Sequence, residues 1–130
     1  MYIIAIHGGA GLSTPKDLGL EREKVARVAL HASLQAANEI LSVGGSALDA
    51  VIAAVSVMED SPVFNAGRGS VFAADGVQYM DASLMTGHDK KAGALRFVEI
   101  CFSQLLDVKF SNLSFSNNEA LFIKQSKNFI

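Results

Sequence analysis

Residues Gly44 to Met85 constrain the fold more than any other part of the chain, because they set a helix of small side chains between two firm stops. Ala47, Ala50, Val51, Ala53, Ala54 and Val55 present little bulk on nearly every side, which suits close packing against a sheet. Gly44-Gly45 precedes this helix, and Ser46 opens it with Asp49 three positions on. At that spacing each side chain can satisfy backbone donors of the first turn, so Asp49 reads as a capping residue and not a catalytic one. Pro62 cannot donate a helical hydrogen bond and pushes Ser61 out of helical space. The helix must therefore end around Glu59-Asp60.

Other elements follow from local pattern. Tyr2 to Ile6 is β-branched and aromatic without a helical period, and reads as a buried strand closed by the turn His7-Gly8-Gly9-Ala10-Gly11. Paired glycines leave backbone N–H groups unobstructed and let another group approach closely. Glu21 to Leu41 reads as a helix with Val25, Val28, Ala29, Ala32, Ala36 and Ile40 on one stripe, ended by Gly44-Gly45. Ser70 to Ala74, the Asp75-Gly76 turn and Val77 to Leu84 read as a hairpin.

From Met58 to Arg68 the chain makes a compact loop whose Gly67 and Gly69 permit positive φ. Such a loop can turn carbonyl oxygens inward, and hard cations accept oxygen ligands of that kind. Asn65 offers a donor and an acceptor for orienting a neighbouring group, or for holding its own turn. Asp81, between Met80 and Ala82, reads as a half-buried carboxylate with no second acid at a paired spacing. His7, His31 and His88 do not cluster, so neither a zinc site nor a catalytic triad is suggested.

The 130 residues fit one domain, and a formal charge of -2 argues against nucleic acid or a charged membrane surface as partner. Cys101 is the single cysteine, which excludes an internal disulfide and a CxxC redox or metal motif and suits a reducing cytosol. The N-terminal apolar run ends at His7, too early for a signal-peptide core, and the Ala47–Met58 run falls short of the roughly 20 residues that span a bilayer. A cytoplasmic location is expected.

Composition changes near Leu95. All 11 glycines lie between Gly8 and Gly93, whereas Phe97, Phe102, Phe110, Phe115, Phe122 and Phe129 crowd the remainder. We therefore divide the chain into 1–94 and a divergent 95–130. The tail reads either as an ordinary strand and helix pair or as a sequence that replaces a longer continuation.

The segments His7-Gly8-Gly9-Ala10-Gly11, Gly45-Ser46-Ala47-Leu48-Asp49-Ala50-Val51, Glu59-Asp60-Ser61-Pro62-Val63-Phe64-Asn65-Ala66-Gly67-Arg68-Gly69-Ser70-Val71 and Met80-Asp81-Ala82-Ser83 resemble the plant-type asparaginase/isoaspartyl peptidase family in order and spacing. The resemblance runs from Ile3 to about Ala94. It implies an α/β fold, the N-terminal part of an αββα sandwich of N-terminal-nucleophile hydrolases. It also implies that Asn65 helps position a nucleophilic threonine and that Gly8 and Gly9 belong to a glycine loop used in self-cleavage. Main-chain carbonyls of Met58, Glu59, Ser61, Phe64, Ala66 and Arg68 would surround a structural sodium ion, with no other cofactor.

In that family a threonine attacks the preceding glycine carbonyl, becomes a new N-terminus by autoproteolysis, and then hydrolyses asparagine or β-aspartyl peptide bonds with its own amine as base. Here no Gly-Thr pair occurs, and Thr14 and Thr86 are expected in loops outside that motif. The expectation is a shortened family member, inactive alone, taking a small substrate only if a β subunit completes it. Homo-oligomerisation is also consistent with the resemblance. The rival expectation is a non-catalytic module that pairs with an intact homologue or a separate β chain.

Overall fold

A computed structural model of the chain describes residues 1–9, 19–99 and 120–125. Its elements run α1 (Leu20–Ser42), α2 (Ala47–Asp60), a 3₁₀ turn (Gly67–Gly69), β1 (Tyr79–Thr86), β2 (Ala92–Glu99) and β3 (Ala120–Gln125). Two helices thus accompany a small antiparallel sheet of order β2-β1-β3. This mixed architecture agrees with the α/β class expected from sequence. Cys101, Thr14, Ala10 and Gly11 lie outside the described residues.

The helix boundaries fall where local chemistry puts them. Gly44 adopts φ 81°, and the amides of Gly44 and Gly45 donate to the carbonyls of Leu41 (3.1 Å) and Ile40 (2.9 Å), which caps α1 with a left-handed residue. A side chain at position 45 would stand 2.5 Å from Ile40 Cγ2. Ser46 then accepts from the Asp49 amide (3.1 Å) while donating its hydroxyl to the Asp49 carboxylate (2.7 Å). Ser61, before Pro62, has left helical space at φ -88° and ψ 126°.

Both helices pack through small residues. Ala37 lies against Ala50 and Ala54. Ser33, wholly buried, donates its hydroxyl to the Ala54 carbonyl at 2.7 Å, a bond worth about 1 kcal/mol net. Successive contacts climb one helix as they descend the other, so the pair is antiparallel. The buried face of α1 carries Ala26, Ala29, Leu30, Ser33, Ala37, Ile40 and Leu41. This corrects the sequence expectation: Val25 and Val28 are 51% and 63% exposed, and Ala32 is exposed. A stripe chosen by apolarity alone passed over Ser33, whose hydroxyl finds its partner on the other helix.

A larger core joins Leu48, Ile52, Val55 and Met58 of α2 to Phe64 and to Ala82 and Leu84 of β1. Burial alternates strictly along β1, with Met80, Ala82, Leu84 and Thr86 buried. Full burial of side chains the size of Met80 and Leu84 contributes roughly 1.5–3 kcal/mol each. The partner of β1 in its hairpin is β2, with Met85 opposite Ala92 and Tyr79 opposite Glu99. A bulge interrupts the register between Met80 and Ala82. On the other side β3 pairs antiparallel, Thr86 opposite Ala120 and Asp81 opposite Gln125.

Three expectations change here. Ser70–Ala74 is not a strand: the Asp75-Gly76 turn forms, with Ala73 N–H donating to the Val77 carbonyl at 2.8 Å, but the first arm is held by side chains instead. Gln78 Nε2 donates to the Ser70 carbonyl, and Ser70 Oγ donates to the Gly67 carbonyl at 2.8 Å. Tyr2 to Ile6 is no buried strand either, since Tyr2 and Ile3 are exposed and no described strand pairs with it. Only Ile4 and Ile6 press on the helix pair, and Tyr2 reaches Asn38 through its hydroxyl at 2.8 Å. Thr86 closes β1 at 1% exposure and so does not lie in a loop.

Gly67 ties these parts together. At φ 53°, a Cβ there would stand 2.2 Å from the Glu59 carbonyl oxygen. Gly67→Ala should lower unfolding free energy by at least about 2 kcal/mol through strain and collision, whereas Gly76→Ala, at φ 80° in open space, should cost about 1 kcal/mol. Urea denaturation of the two variants measures the difference.

Candidate functional site

The loop after α2 is built around close backbone approaches. Gly67 N–H, buried, donates to the thioether sulfur of Met80 at 3.0 Å, which pins the 3₁₀ turn to β1. Gly69 does not use positive φ, contrary to expectation; it is small because a Cβ would fall 2.1 Å from the Phe64 carbonyl and 2.7 Å from that of Pro62. Further bonds close the loop: Ala66 N–H to the Phe64 carbonyl (2.8 Å), Gly69 N–H to the Ala66 carbonyl (3.0 Å) and Ser70 N–H to the Gly67 carbonyl (3.1 Å).

Carbonyl oxygens therefore crowd this loop, as the sequence suggests. Those of Glu59, Pro62 and Phe64 face the two glycines, in space that any side chain would occupy. The Met58 carbonyl accepts from Ser61 N–H at 3.3 Å, leaving a second lone pair for another partner. Main-chain oxygens are the donor type that hard cations take. Arg68 stands at the rim, 3.8 Å from Asp60 in an exposed ion pair. Among the described residues no group of three or more His, Cys, Asp or Glu side chains could hold a metal.

Asn65 sits at the exposed shoulder of the loop, where its Oδ1 accepts from the Val71 amide at 3.1 Å. It thus holds its own turn, one of the two uses open to it from sequence. The glycine segment lies against the neighbouring Phe64 ring: a Cβ on Gly8 would be 3.1 Å from Phe64 Cε1 and 3.4 Å from Leu30 Cδ2. Gly9 takes φ 110°, and its amide donates to His7 Nδ1 at 3.2 Å. The fold thus brings Gly8 and the Phe64 ring together although more than fifty positions separate them in the chain. No sequence signal announces that contact.

At the far end of β1, sequence reasoning missed a polar knot. Thr86 Oγ1 donates to Asp89 Oδ1, the Lys91 ammonium lies 3.0 Å from Asp89 Oδ2, and Thr86 N–H donates to the Lys91 carbonyl at 2.9 Å. These contacts, the Thr86 hydrogen bond foremost, hold the Asp89 carboxyl down to about 2. Asp75 is also lowered, first by the Val77 amide and then by the Tyr79 hydroxyl. Asp81 is half-buried as expected, while His31 and His88 are exposed on α1 and in the β1–β2 turn.

The helix pair and the antiparallel sheet that carry these segments are consistent with the α/β class. The model of the asparaginase family (Asparaginase_2) matches residues 1–121, so the chain belongs to that family. It is 43% identical over 93 residues to the isoaspartyl peptidase of Escherichia coli, covering 72% of this chain and 29% of that one. With the isoaspartyl peptidase/L-asparaginase of Bos taurus it shares 46% over 96 residues, 74% of this chain and 30% of that one. With the plant-type L-asparaginase of Pyrobaculum calidifontis it shares 43% over 104 residues, 76% and 32%. The chain spans less than a third of the length of these relatives. No helix among the described residues is long and apolar enough to cross a membrane.

Because Asp89 is lowered in the folded chain, its contribution to stability is present above its ordinary value of 3.8 and is lost as pH falls through about 2. Thr86→Val removes the leading cause, so the Asp89 midpoint should climb toward 3.8. Carboxyl carbon NMR titration of both proteins reads the two midpoints.

Proposed function

We propose that the chain supplies the N-terminal framework of an asparaginase/isoaspartyl peptidase, of αββα sandwich type, that hydrolyses the asparagine side-chain amide or a β-aspartyl peptide bond. The observation that carries this reading is the seating of Gly8 against the Phe64-Asn65 loop, two motifs of the family joined in one place. Gly8 and Gly9 form the glycine loop, where bare backbone admits the chain segment to be cleaved. Asn65 orients the threonine hydroxyl, from a loop that its own hydrogen bond to the Val71 amide helps to close. Main-chain oxygens of Met58, Glu59, Ser61, Phe64, Ala66 and Arg68 hold a sodium ion that stiffens the loop and takes no part in bond making.

The chemistry belongs to a threonine following glycine: its hydroxyl attacks the glycine carbonyl, the peptide C–N bond breaks as the ester forms and frees the threonine amine, and water then cleaves the ester to release the glycine carboxylate and restore the hydroxyl, for which the amine serves as base. The 130 residues contain no Gly-Thr pair, and Thr86 has its hydroxyl buried and committed to Asp89. Alone, the chain does not turn over substrate. Residues 1–94 carry the framework and 95–130 are the divergent tail. A single cysteine suits work in the reducing cytosol.

A second reading, a non-catalytic module that pairs with a β-type chain or an intact homologue, is favoured by one observation. Tyr2, Ile3, Val25, Val28, Val71 and Phe72 are large apolar residues left exposed, Phe72 at 70%.

The mass-verified chain should release neither ammonia from asparagine nor free aspartate from β-aspartyl dipeptides; sustained release would overturn the inactive reading. Mixed with a family β-type chain that begins at threonine, it should form a discrete complex by size exclusion and gain turnover. Asn65→Ala should then cost roughly a hundredfold in kcat. A complex without turnover would support the module reading, and turnover indifferent to Asn65 would remove that residue from the mechanism.

A further inference from the structure

We infer that Phe64 is the positioning residue of the glycine loop, its ring edge fixing where the backbone of Gly8 and Gly9 stands against the Phe64-Asn65 loop. The inference rests on the proposed function for its purpose, though not for its geometry.

Gly8 shows the face it would give to a side chain to the ring, with Cε1 at 3.1 Å and Cδ1 at 3.6 Å from the place a Cβ would occupy. A side chain at position 8 would press on the ring at that first distance, so the space on this face of Gly8 is taken up by Phe64. Gly9 has no such neighbour among the described residues. A Cβ there would meet nothing within 4 Å, and its φ of 110° is reached by glycine alone. Its position is therefore inherited from Gly8 and from its own hydrogen bond to His7 Nδ1.

The ring itself is fixed from behind. Phe64 is 8% exposed and shares its core cluster with Leu48, Ile52, Val55, Met58, Ala82 and Leu84. An aromatic side chain has only two torsions, both held by such packing. Its backbone is fixed as well, since its carbonyl accepts from Ala66 N–H and lies against Gly69. Leu30 also touches the Gly8 site, but at 3.4 Å, an ordinary contact from a half-buried and more adaptable side chain. One residue thus carries the orientation of β1 and α2 into the glycine loop while holding Asn65 as its neighbour in the chain.

The test uses the full 130-residue chain labelled with nitrogen-15. Phe64→Leu removes the ring edge and should shift the Gly8 and Gly9 amide resonances and that of His7 Nδ1. Ile52→Val, in the same cluster, should lower stability and leave those three signals in place. Unmoved glycine signals in Phe64→Leu, or equal movement in Ile52→Val, would overturn the assignment. Should Phe64→Leu fail to fold, Gly8→Ala approaches the same contact from the other side. Its methyl should displace the Phe64 ring and Asn65 amide resonances, and unchanged resonances there would be equally fatal. None of these readouts involves turnover, so they can fail while the hydrolase reading stands, and the reverse.

Discussion

The rest of the structure depends on position 67 carrying no side chain. There the chain, having left α2, folds back so closely that its backbone lies against the Glu59 carbonyl on one side and donates to the Met80 sulfur on the other. A helix terminus, a turn and a strand meet within one residue. A buried amide deprived of its acceptor would cost about 1–3 kcal/mol, so the soft sulfur acceptor is a structural requirement and not an accident of packing. Gly69 repeats the same economy of space against Pro62 and Phe64 without needing unusual backbone angles.

From that hub the functional geometry follows in two directions. Toward the N-terminus, the Phe64 ring meets Gly8, and the small residues where α1 crosses α2 let Ile4 and Ile6 settle on the helix pair. Toward the sheet, alternation along β1 sends Met80, Ala82 and Leu84 into the core and leaves Asp81 half-buried. In the loop between, the main-chain carbonyls of Glu59, Pro62 and Phe64 face Gly67 and Gly69.

Exposure supplies the complementary constraint. The outer face of α1, the tip at Phe72 and the N-terminal Tyr2-Ile3 pair present apolar surface. Meanwhile β3 occupies one edge of β1, so that edge has its hydrogen bonds.

What the sequence determined by itself is everything that one or two turns of backbone can settle: the capped end of α1 at Gly44-Gly45, the Ser46 start and Pro62 stop of α2, the Asp75-Gly76 turn, and the crowded loop after Pro62. These depend on φ restriction and on hydrogen bonds a few residues long, and so are written in adjacent letters. The family motifs were equally legible, because their order and spacing survive in the chain. Tertiary structure alone decided which face of α1 is buried, since Ser33 becomes a core residue only when the Ala54 carbonyl waits opposite. It also chose Ala92–Glu99 over Ser70–Ala74 as the partner of β1, buried Thr86 over Asp89, left Tyr2 and Ile3 exposed, and set Phe64 on Gly8. Each of these is a contact between distant segments, fixed by the shape and unmet hydrogen bonds of a surface that exists only after folding.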